Sequence, residues 1–581
     1  MADALAGQLA RLQKRRTGPL ILELDLTDGL AEGPPQDPVS ALLSMRRSRL
    51  PDLLEGLRRA GKDNRVRALV VKVGGGRIGL AKIQELRQAV EGFRQSGKLA
   101  VAWTESFGDF VHGNLPYYLA TAFDRICLQP TGTLGLTGVA VEQVFLRGAL
   151  AKVGVDFQSA KRYEYKSAAD QLTETGFTGP AREAATRLAE SVAEQIADAV
   201  AASRGKTVSE ARELFGHGPF LAQQALDLGL VDALAYRDEV YDQVRKESGS
   251  DATLLYLQRY QRSRVIASLP RRVREQAQRE RFVAMIYAHG PIRQGRSGRG
   301  GMGSDTIAAA LRAAAADEKA RAVVLRVNSP GGSATASDVI WREVVRVRGA
   351  GKPVIVSMGD VAASGGYFIS APADVIVTQP GTLTGSIGVI MGKPVLREMF
   401  GRSGVTVDTV AENPNALMFS PSRPFSDAEW SRINEWLDAI YSDFTGKVAS
   451  GRRLPSERVH ELARGRVWSG ADAVANGLAD ETGGLRDAID IARRRSRLAS
   501  DAPVRLYPRL GPLDHLRPAE SSEARPAAAP SVDPVGSAAD AAAAALLTTF
   551  ADGWGPAWEF AVRAGLPPYG PLMMPGIWRI S

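Results

Sequence analysis

Ser364 is the residue in this chain best placed to do chemistry. It stands in Asp360-Val-Ala-Ala-Ser-Gly-Gly-Tyr367, just after an apolar run, Pro353 to Met358, that reads as a buried strand. A serine among small residues at a strand-to-helix junction, followed by two glycines, turns its hydroxyl toward a pocket lined by backbone N–H groups. A second apolar run, Ala322 to Val327, ends in Asn328-Ser-Pro-Gly-Gly332, a turn whose glycines also expose N–H groups. The chemistry that suits these residues is acyl transfer, with Ser364 as nucleophile. The oxyanion hole would combine the N–H of Gly365 with one from Gly331 or Gly332. An isolated Ser-Gly-Gly more often marks a turn holding a hydrogen-bonded serine. Here a third motif, Gln379-Pro-Gly-Thr-Leu-Thr-Gly-Ser-Ile-Gly-Val389, follows in order and at domain spacing, which favours the site.

Together the three motifs resemble the long form of the signal peptide peptidase A (protease IV) family, serine peptidases of the Clp protease and crotonase superfamily. The resemblance covers roughly residues 18 to 498. It implies an α/β fold, a tandem duplication of a layered Clp protease/crotonase-like unit with largely parallel sheets, followed by a C-terminal tail. It also implies a general base that is a lysine in a Tyr-Lys-Ser-Ala context, and this chain has Tyr165-Lys166-Ser167-Ala168. Ser386, in Thr384-Gly-Ser-Ile-Gly388, is by the same resemblance the residue that orients the lysine.

Internal repetition supports two copies of one unit. Arg67-Ala-Leu-Val-Val-Lys-Val matches Arg321-Ala-Val-Val-Leu-Arg-Val at an offset of 254 residues, from position 67 to position 321. Gln129-Pro130 matches Gln379-Pro380 at 250, and Gly229-Leu-Val-Asp232 matches Gly477-Leu-Ala-Asp480 at 248. Each copy alternates strand and helix, as a layered α/β unit does. The copies have lost complementary residues. At an offset of 250, Ser364 corresponds to Asn114 and Ser386 to Leu136, while Lys166 corresponds to Ala416. One composite site, with serine from the second copy and lysine from the first, explains both losses. Lys161 and Lys152 are alternative bases that read more simply as solvated surface residues.

A lysine titrating near 10.4 is protonated at neutral pH, so it can accept a proton from serine only after desolvation lowers its pKa. Arg162, Tyr163, Glu164 and Asp170 make the local sequence polar. Docking of the two copies, within one chain or between neighbours, is therefore expected to activate the base.

The organisation reads as a basic segment over 1–17, a first repeat over 18–238, a helical connector rich in Arg, Gln and Glu over 239–281, a second repeat over 282–499, and a linker with an aromatic tail over 500–581. A helix starting at Thr178-Gly-Pro180 carries Leu188, Val192, Ile196 and Val200 on one stripe. Ser426 with Glu429 forms a capping box ahead of Ile433, Trp436, Leu437, Ile440 and Phe444. Both stripes read as packing surfaces. Pro518 to Asp540, rich in Ala, Pro and Ser, reads as a flexible linker. Beyond it, Trp554, Trp558, Phe560, Tyr569, Met573, Met574 and Trp578 suit either a tail docked on its own protein or a segment for membrane or partner.

At 581 residues the chain exceeds a single ordinary core. The net charge of +9, from 73 Lys+Arg against 64 Asp+Glu, is dispersed and specifies no nucleic-acid site. One cysteine, Cys127, excludes an intrachain disulfide, and the five histidines have no metal-ligand spacing. No Walker-type loop is present, so action without ATP and without a cofactor is expected. Met1 to Arg16 is basic and amphipathic, and neither it nor Ala541 to Ala551 is apolar and long enough to span a bilayer. The expected location is the cytoplasm, with peripheral contact at the inner membrane surface as the alternative.

The functional expectation is an endopeptidase acting on signal-peptide remnants and other unfolded or membrane-released peptides. The resemblance further implies a homo-oligomer, a tetramer with sites facing an enclosed cavity. Two rival readings are a crotonase-like acyl-CoA enzyme, which would also use turn glycines, and a non-catalytic scaffold that binds membrane proteins.

Overall fold

The computed structural model describes residues 18–34, 48–74, 78–109, 111–249, 251–265, 280–298 and 301–507, with the backbone of two short strands at 572–573 and 579–580. The basic segment 1–17, the Pro518–Asp540 linker and the aromatic residues of the tail lie outside the described residues.

The first copy builds a sheet from β1 (Leu20–Asp25), β2 (Val66–Lys72), β3 (Leu99–Thr104), β4 (Arg125–Leu128), β6 (Ala233–Leu234) and β7 (Thr253–Tyr256). A further strand, β5 (Asp156–Arg162), lies outside that sheet. The spatial order is β6-β4-β3-β2-β1-β7, with every pair parallel. Strands such as Val-Arg-Ala-Leu-Val-Val-Lys are apolar almost throughout because both faces are covered. Leu20, Leu22, Leu24, Leu69 and Val71 enter one core, while Ile21, Ala68, Val70, Val101 and Cys127 enter the other.

The second copy uses β8 (Phe282–His289), β9 (Ala320–Ser329), β10 (Gly331–Gly332), β11 (Val354–Ala363), β12 (Val375–Thr378), β13 (Leu383–Gly385), β14 (Val389–Val395), β15 (Val467–Ser469) and β16 (Val504–Leu506). From Glu481–Thr482 through β12, β11, β9 and β8 to β16, its sheet repeats the strand order of the first, again in parallel. Smaller details repeat as well. Tyr117 donates its hydroxyl hydrogen to Leu230 O, as Tyr367 does to Leu478 O. Asp232 accepts from the Ile126 N–H, as Asp480 does from that of Ile376. The chain is a tandem duplication of one α/β unit with largely parallel sheets.

Both outer strands come from segments that composition describes poorly. The stretch 239–281 is expected to be helical from its charged residues, and it does contain helix up to Ser248 and again over Leu257–Val265. Between them Thr-Leu-Leu-Tyr forms β7, because its backbone completes the open edge of β1 and buries Leu255. β16 does the same for β8.

The copies are joined by an antiparallel ribbon of β5 and β14, running from Asp156↔Val395 to Arg162↔Val389. Five helices matter for the site: α1 (Leu80–Arg94), α2 (Gly179–Arg204), α3 (Gly365–Ser370), α4 (Asp427–Arg452) and α5 (Leu485–Arg495). Thr178 caps α2, and Ser426 with Glu429 closes the capping box of α4. Leu188 of α2 packs against Ala363 and Val467 of the second copy. Ile433, Leu437 and Phe444 of α4 enter the second core, whereas Trp436 is 50% exposed. Among the described residues no helix is long and apolar enough to cross a membrane.

Candidate active site

The ribbon geometry dictates where the first copy meets the second. Arg162 pairs with Val389 and the strands are antiparallel, so the chain running on from Arg162 meets the chain leading into Val389. Lys166 lies four positions beyond the one, and Ser386 three positions before the other. Lys166 Nζ is 2.9 Å from Ser386 O, 3.0 Å from Ser386 Oγ and 2.8 Å from Ser364 Oγ. The three residues named from sequence thus converge within one chain, and all are 0% exposed.

Ser364 follows the last residue of β11 and caps α3 at φ 54°, ψ −115°. A serine costs energy in this region and is held there by its surroundings, since its N–H donates to Gly385 O at 2.8 Å and its carbonyl accepts from Phe368 N at 2.8 Å. Ser386 is also at positive φ, 51°, and donates its N–H to Arg466 O at 2.7 Å. These bends are what turn both hydroxyls toward Lys166.

Burial depresses the Lys166 pKa well below the ordinary lysine range, with no charged neighbour among the described residues contributing. The polar residues around it are engaged elsewhere: Arg162 with Asn434 and Asp438, Glu164 with Arg464, and Asp170 with Lys161 at 2.7 Å. That last ion pair occupies Lys161, and Lys152 sits on an exposed helix end, so neither alternative lysine reaches Ser364.

Gly365, Gly331 and Gly332 lie together. A Cβ built on Gly365 would stand 3.1 Å from both Gly331 Cα and Gly332 N. The glycine turn expected from sequence is partly extended: β10 runs parallel to Ile292–Arg293 and antiparallel to Leu572–Met573 of the tail. In the first copy, Asn114 spans a turn instead, donating to Gly138 O and accepting from Thr137 N, and Leu136 is core. Ala416, opposite in the repeat to Lys166, is exposed on a short 3₁₀ turn.

Sequence reasoning missed Arg464-Gly465-Arg466. Gly465 donates to Ile387 O at 2.8 Å, and Arg464 O accepts from Tyr165 N at 3.2 Å, so one loop grips the backbones that carry both Lys166 and Ser386. Gly465, at φ 86°, packs directly on the Lys166 main chain. No motif in the sequence singles it out.

Three curated proteins that this chain matches over most of its length are named as proteases, and it is a serine peptidase. It is 33% identical to Protease 4 of Salmonella typhi, over 78% of this chain and 73% of that one. It is 31% identical to Serine protease SPPA, chloroplastic, of Arabidopsis thaliana, over 79% and 67% respectively. Protease 4 of Haemophilus influenzae matches at 32%, over 78% and 74%. The model of peptidase family S49 matches residues 93–251 and 346–499, and the chain belongs to that family. The first matched block contains Lys166, the second Ser364 and Ser386.

Proposed function

We propose that the protein is a Ser-Lys endopeptidase in which Ser364 is the nucleophile and Lys166 the general base. One observation carries this reading: a buried lysine amine 2.8 Å from a buried serine hydroxyl, its pKa depressed by burial. A neutral amine has two N–H bonds and one lone pair. Ser386 O and Oγ accept the two N–H bonds, which leaves the lone pair for the Ser364 hydroxyl.

The lysine takes the serine proton as Oγ attacks the scissile carbonyl, and the oxyanion that forms is met by the N–H groups of Gly365 and of Gly331 or Gly332. The resulting ammonium returns its proton to the leaving amine as the C–N bond breaks, giving an acyl-enzyme. Water, deprotonated by the same lysine, attacks the ester, and Ser364 leaves with the proton. Acylation and deacylation each end with Lys166 in its neutral form.

The substrates on this reading are extended chains: signal peptides and other unfolded or membrane-released peptides, cleaved without ATP. The β10 edge accepts an antiparallel strand, as the pairing with Leu572–Met573 illustrates, and an extended peptide would bind the same way. A protein of Enterococcus faecium 37% identical over 33% of this chain is named a putative signal peptide peptidase. A homotetramer in peripheral contact with a membrane completes the reading, tested by sedimentation and by vesicle flotation. The enzymatic test is hydrolysis of casein and short apolar peptide esters. Ser364→Ala and Lys166→Ala should each abolish it, and a retained rate in Ser364→Ala would overturn the assignment.

A further inference from the structure

The first turns of α1 form a polar bridge between the copies, away from the reacting atoms. Lys82 reaches across to Asp360: its N–H donates to Oδ1 at 3.2 Å, and its Nζ pairs with the carboxylate and with Glu32 Oε2 at 3.1 Å. Asp360 lies on β11, four residues before Ser364. Two residues on, Gln84 Oε1 accepts from the Gly381 N–H at 2.8 Å, and Gly381 leads into β13 and Ser386. Next to it, Glu85 accepts from Arg326 Nη2 at 2.6 Å and from the Leu485 N–H at 2.8 Å. Glycines permit the approach, because a Cβ on Gly79 would overlap the Asp360 carboxylate and one on Gly381 would overlap Leu80.

Resting on the dyad reading above, we infer that Lys82 and Gln84 are positioning residues for the reaction: they set the two strands that present Ser364 and Ser386 to Lys166. The strands they hold are coupled at the site itself, through Ala363↔Gly385 and the Ser364 N–H bond to Gly385 O. Lys166 is anchored independently by the β5–β14 ribbon. Only if both attachments are in register does Nζ lie within hydrogen-bond reach of Oγ.

Adhesion alone would not select these residues. Gln84 and Glu85 are 4% and 2% exposed, and burying such groups carries a desolvation cost that apolar contacts avoid. What polar groups add is direction, since a hydrogen bond weakens steeply as its length and angle depart from the preferred geometry. The repeat points the same way. In the second copy the helix over Ala334–Gly349 corresponds to α1 at an offset of 254, and carries Ala336, Asp338 and Val339 in place of Lys82, Gln84 and Glu85. The bridge, like the lysine, belongs to one copy only.

The test uses full-length Lys82→Met, Lys82→Arg and Gln84→Leu, with a short apolar peptide ester as substrate, and reads kcat, KM, the pH profile and the melting midpoint. A shift of about 1 Å at the dyad should lower kcat about 10- to 100-fold in Lys82→Met and Gln84→Leu, with KM within about threefold. The acid limb of kcat/KM should move to higher pH, as water reaches Lys166 and restores its affinity for a proton. Lys82→Arg, which keeps the charge, should recover most of the rate. Gln84→Leu removes no charge and decides the matter if Lys82→Met folds poorly. The inference is overturned if kcat stays within about threefold of wild type, or if lost activity merely follows lost folded protein with the acid limb unmoved. If instead Ser364→Ala is itself active, the dyad reading fails and the bridge is no longer the cause in question.

Discussion

Substituting Gly465 by alanine should disable the enzyme without touching either member of the dyad. A Cβ at this position would stand 2.5 Å from both Cα and Cβ of Lys166, against an ordinary contact of 3.4 Å or more. Relief therefore demands a displacement of about 1 Å, and the main chain of Lys166 is what must move. The Nζ–Oγ separation of 2.8 Å has little slack, so a shift of that size takes the amine beyond hydrogen-bond range of the serine. Misplacement on this scale costs about 100-fold in rate, or about 2.7 kcal/mol of barrier. Alanine at φ 86° adds about 1–2 kcal/mol of backbone strain, which lowers stability modestly. The assay is kcat/KM on a peptide ester, paired with thermal melting and with the rate of Ser364 labelling by a fluorophosphonate. Expected are a loss of about 100-fold in both rates and a protein that still folds. Activity within about threefold of wild type would refute the claim that this loop fixes the lysine.

Lys166→Met should be inactive yet more stable than wild type. Burial lowers the pKa of this lysine in the folded protein, while in the unfolded chain it titrates near 10.4, so between the depressed value and 10.4 unfolding takes up a proton and stability rises with pH. The stability gap between variant and wild type should thus widen as pH falls from 10.4 toward the depressed folded value, by up to about 1.4 kcal/mol per pH unit, as measured by urea titration at several pH values. Ser386→Ala removes the acceptor 3.0 Å from Nζ but leaves the main-chain carbonyl at 2.9 Å, and should lower kcat about tenfold with little change in KM. Gly332→Ala, whose Cβ would stand 2.7 Å from Ile292 N at φ 153°, should distort β10 and cost about 100- to 1,000-fold in kcat if an N–H of this turn serves the oxyanion.

Much of this was legible in residue order. Two apolar runs ending in small residues gave the strands before Gly331 and Ser364, since a strand buried on both faces is largely apolar. With Lys166 named by the family resemblance, the exchange of Ser364 for Asn114 and of Lys166 for Ala416 points to a composite site. What the sequence concealed depends on contacts between distant segments. The charged neighbours of Lys166 suggest a solvated lysine, yet each is drawn off by a partner up to 300 positions away, as Glu164 is by Arg464. Gly465 looks like any glycine until the Lys166 backbone lies against it. β7 reads as charged connector because its pairing partner, β1, lies more than 200 residues earlier.

In the proposed mechanism a lysine and a serine from two copies of one unit act together within a single chain. The most direct measurement compares casein and peptide-ester hydrolysis by wild type, Ser364→Ala, Lys166→Ala and an equal mixture of the two variants. Both variants should be inactive, and the mixture should stay inactive, because each intact site needs both residues from the same polypeptide. Recovery of activity in the mixture would show that the dyad forms between chains, and full activity in Lys166→Ala would show that Ser364 has another base.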